Sequence, residues 1–130
     1  MANEQDKLVG PVPSRIVNTA SLTLTPHEGK IAEFNVAAWL QLPGLATLPV
    51  SLVVTYRDGE QRRVSTVDHG KLNAQGKILL TGVARLPVRV KIEEMQVRLK
   101  CAVPVHGLIV EELFVQAVEP ARGDSRHALA

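Results

Sequence analysis

The stretch V-R-V-K-I-E-E-M-Q-V-R-L-K-C, residues 88–101, decides the fold class. Val88, Val90 and Ile92 alternate with Arg89 and Lys91, the period of two that sends successive side chains to opposite faces of a sheet. Met95, Val97, Leu99 and Cys101 then alternate with Gln96, Arg98 and Lys100. Between these halves the count slips by one, at Glu93-Glu94. Such a slip turns the second apolar set outward unless a β-bulge absorbs the extra residue. Each apolar side chain gains roughly 1.5–3 kcal/mol from full burial, so a bulge costs less than exposure. A helix would scatter the same residues around its circumference. The stretch therefore reads as one strand with a bulge at the glutamate pair.

Working outward, L-I-V-E-E-L-F-V-Q-A at residues 108–117 has the same apolar, double-glutamate, apolar layout. Pro104 and Gly107 in the intervening segment suggest a hairpin loop. That pairing sets Cys101 opposite Ile109, Val97 opposite Leu113, and Arg98 beside Glu112. The two glutamate doublets then fall at opposite ends of the hairpin, which argues against a hard-cation site.

The remaining chain follows the same alternation. Residues 1–14 read as a flexible N-terminal arm, and residues 16–25 as a one-sided strand. Residues 30–42 admit two readings. Ala32, Phe34, Val36, Ala38, Leu40 and Leu42 alternate as in a strand, whereas Thr25-Pro26-His27-Glu28 resembles a helix start. Gly29 and the alternation favour the strand, which puts Trp39 on the less apolar face with Glu33, Asn35 and Gln41. Residues 50–56 and 60–67 flank Arg57-Asp58-Gly59. A two-residue Asp-Gly turn sets Val54 opposite Arg63. A three-residue loop with left-handed Gly59 sets Leu52 opposite Val64 and keeps the apolar side consistent, so it is preferred. Residues 68–76 read as a connection, and residues 77–86 as a strand with Ile78, Leu80, Ala84 and Leu86 on one side and Gly82 at a kink or bulge. Residues 119–130 read as a disordered tail, in which the Arg-Gly-Asp at 122–124 is a coincidence of letters.

The result is an all-β, single-domain antiparallel β-sandwich of about seven strands, spanning residues 15–118. Its layout is similar in outline to immunoglobulin-like and fibronectin-III-like domains, or to a small jelly roll. The likeness is architectural and carries no family function, because paired cysteines flanking a tryptophan are missing.

Composition narrows the chemistry. At 130 residues, 45% hydrophobic and 22% charged, the chain suits one globular domain. Its only rings besides histidine are Phe34, Trp39, Tyr56 and Phe114, so aliphatic side chains must fill the core. One cysteine excludes an internal disulfide; Cys101 falls on the core side and reads as an inert thiol. The polar N-terminus lacks a signal-peptide pattern and no apolar run is long enough for a membrane helix, so a cytoplasmic location with no membrane partner is expected.

No catalytic, metal or cofactor motif stands out. His27, His69, His106 and His127 fall in expected loops or the tail, without metal-ligand spacing. There is no nucleophile elbow and no Gly-rich phosphate loop. A non-catalytic interaction module is expected. Its partner is another protein or a second copy, bound through a sheet face or edge by Trp39 and Phe114, with Arg98 and Lys100 at the rim. Two alternatives stay open. Residues 57–100 carry ten Lys/Arg against five Asp/Glu, so Arg57, Arg62, Arg63 and Lys91 could hold nucleic acid or another polyanion. Trp39 could instead serve as a platform for a carbohydrate or another small molecule.

Overall fold

The computed structural model describes residues 6–118. Its elements are β1 (Asp6–Pro11), α1 (Ser14–Val17), β2 (Thr23–Thr25), β3 (Gly29–Gln41), β4 (Pro49–Asp58), β5 (Gln61–Lys71), β6 (Lys77–Val88), β7 (Ile92–Cys101) and β8 (Ile109–Ala117). The strands form two antiparallel sheets. The first runs β1-β7-β4-β5. In the second, β6 lies along one side of β3, while β2 and then β8 lie along the other. Phe34, Leu40 and Leu80 from the second sheet meet Leu52, Tyr56 and Leu99 from the first, all fully buried. The chain is an all-β sandwich. Among the described residues, no helix is long and apolar enough to cross a membrane.

The segment with two readings is a strand. Along β3 the inward set Ala32, Phe34, Val36, Ala38 and Leu40 is buried, and each gains burial that a helix could give to only part of the set. The helix-start signal is spent on a turn. Thr25 Oγ1 accepts the Glu28 N–H at 3.0 Å, as a helix cap would, and donates to the Gly29 carbonyl at 2.9 Å. Gly29, at φ +75°, then reverses the chain into the β2–β3 hairpin.

The deciding stretch divides. The bulge is where the alternation demands it: Arg57 pairs with Glu93 and Thr55 with Gln96, and Glu94 takes φ +53°. Ile92, Met95, Val97 and Leu99 consequently all face the core. The first half is not part of this strand, however. Val88 ends β6, and residues 89–91 form the crossing to the other sheet. Asp58 organises that crossing. Its carboxylate is 3% exposed and accepts the N–H groups of Arg89 (2.8 Å), Val90 (2.7 Å) and Lys91 (3.1 Å), while Arg63 Nε donates at 3.1 Å. Nearby, the buried Tyr56 hydroxyl donates to the Pro87 carbonyl at 2.7 Å, and burial pushes its pKa up to about 12.

β7 and β8 do not form a hairpin. β7 pairs with β1 and β4, and β8 pairs with β3 in the opposite sheet. The connection of residues 102–108 is long enough to change sheets, and in crossing it buries Val105 in the core. A tight hairpin would have left Val105 in water. Arg98 accordingly bonds Asp6 at 2.6 Å rather than Glu112.

The expected N-terminal arm is structured from residue 6. β1 pairs with β7, and Val9 and Val12 are buried in the core. Residues 16–25 are not one strand: α1 and a loop precede the short β2. The expected tail, with its Arg-Gly-Asp, lies outside the described residues.

At the β4–β5 turn neither expected register holds. Asp58 pairs with Gln61 around Gly59-Glu60, with Gly59 at φ +64°, so Val54 faces Ser65 and Leu52 faces Asp68. The turn is displaced because Asp58 must remain in the strand for its carboxylate to point inward at residues 89–91. Val64, expected inside, is exposed, and apart from Val67 the inward side of β5 is polar. Those polar groups seal the seam against β6. Ser65 Oγ donates to the Arg85 carbonyl at 3.1 Å, and Asp68 Oδ2 accepts the Thr81 N–H at 3.0 Å. Gly82 permits the approach, since a Cβ there would stand 2.5 Å from the Val67 carbonyl oxygen. Replacing Gly82 by Ala must push β5 away from β6, with an expected loss of about 1–3 kcal/mol in denaturant unfolding.

Candidate functional site

The two outer faces differ in kind. On the first sheet several of the outward charges are paired, as in Arg57 with Glu93 and Glu94, and Arg98 with Asp6. On the second sheet several large apolar side chains stand exposed among polar ones such as Asn35, Thr81 and Glu112. Trp39 stands on β3, the middle strand, two residues from its end, with Leu79 of β6 directly opposite it and Glu112 of β8 on its other side. Phe114 pairs with Ala37 and is thus Trp39's diagonal neighbour, about 7–8 Å away in such a lattice. Val83 extends the patch opposite Asn35. Trp39, Leu79, Val83 and Phe114 are 41–49% exposed.

The fold produces this face by simple alternation. The inward set of β3 fixes Ala37 and Trp39 as outward residues. The inward Leu80 and Ala84 on β6 do the same for Leu79 and Val83, and the inward-facing Leu113 and Val115 on β8 do it for Phe114. The sequence reading identified Trp39 and Phe114 and missed Leu79 and Val83. The signal was present in K-I-L-L-T-G-V-A-R-L, where both faces of the strand carry branched apolar side chains.

The expected rim is elsewhere. Arg98 and Lys100 lie on β7 in the other sheet, and Arg98 is held by Asp6 and Gln96. The charges that flank the apolar face come from its own strands and their turns. At one end Arg85 bridges Glu28 (2.6 Å) and Glu33 (3.2 Å), and at the other Lys77 meets Glu111 at 3.5 Å. Each end therefore carries both signs.

The alternative anion set gathers around the β4–β5 turn, but already compensated. Arg57 is hydrogen-bonded to Glu93 and also reaches Glu94 at 3.3 Å; Arg62 reaches Glu94 at 3.2 Å; Arg63 is held by Asp58. The bond from Arg57 holds the Glu93 carboxyl below its ordinary range. Lys91 contributes its backbone N–H to Asp58 and leaves its side chain exposed. A polyanion would have to displace those carboxylates first.

Of the histidines, His27 and His106 lie in turns or loops, whereas His69 is on β5 rather than in a connection; all three are exposed, and His127 lies outside the described residues. Among the described residues no group of three or more His, Cys, Asp or Glu is placed to hold a metal ion. Cys101 is half-buried, and its burial raises the thiol's pKa.

No family model matches the chain, and no curated protein matches it in sequence. Among solved structures it is similar to the CBM22-1–GH10 modules of the Clostridium thermocellum N-terminal endo-1,4-β-D-xylanase 10B, complexed with xylohexaose. The superposition has a TM-score of 0.54 at 13% identity, taking in 67% of this chain and 17% of that one. At that identity the likeness is one of fold: an all-β sandwich that resembles part of a carbohydrate-binding-module-containing chain.

Proposed function

We propose that this domain acts by binding rather than catalysis, through the outer face of β6-β3-β8, and that the occupant of that face is a second copy of the chain. The observation that carries the reading is the convergence of Trp39, Phe114, Leu79 and Val83 on one face while the opposite sheet presents paired charges. An exposed cluster of large apolar side chains among polar ones is a mark of an interface. Three strands spaced about 4.8 Å apart along the 13 residues of β3 present roughly 600 Å² in projection. That is the scale of the ~800 Å² each partner buries in an ordinary interface. The mixed charges at each end suit a two-fold arrangement, in which every patch must complement itself. The β6 edge is a poorer candidate, because Ser65 and Asp68 already occupy backbone groups along it.

A second reading has its own support. The similar xylanase chain carries a CBM22 module and was complexed with xylohexaose, and here Trp39 and Phe114 stand beside Asn35, Glu112 and Gln116 on one sheet face. Rings beside hydrogen-bonding side chains suit the alternating apolar and hydroxylated surfaces of a sugar. Leu79 and Val83, which offer a sugar no hydrogen bond, weigh toward the protein partner.

Sedimentation of the intact chain from micromolar to millimolar concentration tests the first reading: a concentration-dependent dimer supports it, and a monomer throughout overturns it. Titrating the monomer with xylohexaose while following Trp39 fluorescence tests the second; an unchanged spectrum removes it.

A further inference from the structure

Away from the Trp39 face, a depression of about 510 Å³ opens at one end of the first sheet, where β7, β4 and β5 finish together. Its position follows from the register. Ser51 lies between Lys100 of β7 and His69 of β5, so the three side chains share the outer face in one row. Lys71, two residues beyond His69, adds a second ammonium on the same face. Pro49 and the half-buried Cys101 supply apolar surface, while Val50 beneath turns its side chain to the core. The opening thus has a greasy base, a hydroxyl, an imidazole and two ammonium groups, and no carboxylate among its lining residues.

The charges differ in kind from the arginines of this sheet. Arg57, Arg62, Arg63 and Arg98 are each tied to a carboxylate, whereas among the described residues no ion pair joins Lys71 or Lys100. Asp6, across from Lys100, is held by Arg98 at 2.6 Å. Asp68, beside His69, accepts the N–H groups of His69 and Thr81 on the side toward β6. A volume of this size falls in the range of small-molecule sites, whose pattern is an apolar lining with a few convergent polar groups.

We propose that this depression is a binding site for a small organic carboxylate. The apolar body lies over Pro49 and Cys101, and the carboxylate is held by Lys71 and Lys100 with Ser51 and His69 beside it. The site is independent of the Trp39 face, which lies on the opposite sheet, so the two can fail separately.

The test is an NMR titration of the ¹⁵N-labelled intact chain with three probes: hexanoate, hexylamine and inorganic phosphate. Hexanoate is expected to shift the amides of Ser51, Gly70, Lys71 and Cys101 with a millimolar dissociation constant. Hexylamine, with the same body and the opposite charge, is expected to leave them in place, and phosphate, a head without a body, to bind more weakly than hexanoate. In a K71Q/K100Q variant, which keeps exposed polar side chains and the native spectrum elsewhere, hexanoate affinity is expected to drop by about tenfold or more, as for a lost charged hydrogen bond. Equal shifts with hexanoate and hexylamine, unchanged affinity in the double variant, or no hexanoate shift at tens of millimolar would each overturn the proposal. Phosphate binding as tightly as hexanoate would also overturn it, since the apolar surface would then contribute nothing.

Discussion

Replacing Asp58 by Asn lowers the stability of this domain by about 3 kcal/mol or more, the cost of breaking a buried, hydrogen-bonded charge while its partners stay in place. The carboxylate holds three consecutive backbone N–H groups and Arg63 while almost wholly removed from water. An asparagine of the same shape brings one oxygen and one NH₂, so at least one backbone donor faces another donor. The same site fixes a pH dependence. Burial alone would raise the carboxyl's pKa, but the bonds from residues 89–91 and the Arg63 charge together bring it below its ordinary value near 3.8. A group depressed in the folded state adds stability above its unfolded pKa and loses it as pH falls through the folded one. The native domain should therefore lose part of its stability as pH drops below about 3.8, while Asp58→Asn, already weaker at neutral pH, should lose less over that interval. Urea unfolding at neutral pH and at successively lower pH values reads both effects. Equal stability of the two proteins at neutral pH would show that the 89–91 crossing holds itself.

Replacing Trp39 by Glu should abolish self-association while leaving the fold intact. Trp39 is on the middle strand of this face and flanked by Leu79 and Phe114, an arrangement in which a tryptophan contributes at least ~2 kcal/mol to an interface. A two-fold dimer carries the change twice, so the dissociation constant should rise roughly a thousandfold. The stability cost should be small because the side chain is 45% exposed and contributes little to the core. Sedimentation and far-UV circular dichroism on the variant separate the two effects. Retained association would move the contact surface elsewhere, and a lost β-sheet spectrum would make Trp39 a structural residue.

What was legible in the sequence were the features fixed within one strand. Alternation specified the inward sets of β3, β6 and β7, and the slip at Glu93-Glu94 marked the bulge at its observed place. It also put Trp39 and Phe114 on outward faces, without showing that they share a sheet. What alternation does not encode is which strand a neighbour belongs to. β7 and β8 have similar patterns and a loop with turn residues, yet the burial of Val105 draws that loop across the core and separates them into different sheets. For the same reason Arg98 was matched with Glu112, when its partner is Asp6, 92 residues away along the chain. The V-R-V-K-I run also alternates, but Asp58 claims its N–H groups and makes it a crossing. A long-range hydrogen bond of that kind leaves no local trace. The charge count of residues 57–100 was accurate as arithmetic, but folding brings Glu93 and Glu94 onto Arg57 and Arg62 and so compensates much of the excess.

The most direct measurement is the acrylamide quenching of Trp39, the chain's single tryptophan, as protein concentration is raised. If the outer face of β6-β3-β8 is where two copies meet, quenching is efficient in dilute monomer and declines as dimer forms, with the midpoint at the dissociation constant found by sedimentation. Quenching that stays the same while the protein dimerises would show that the rings of this face remain in water, and would contradict the account.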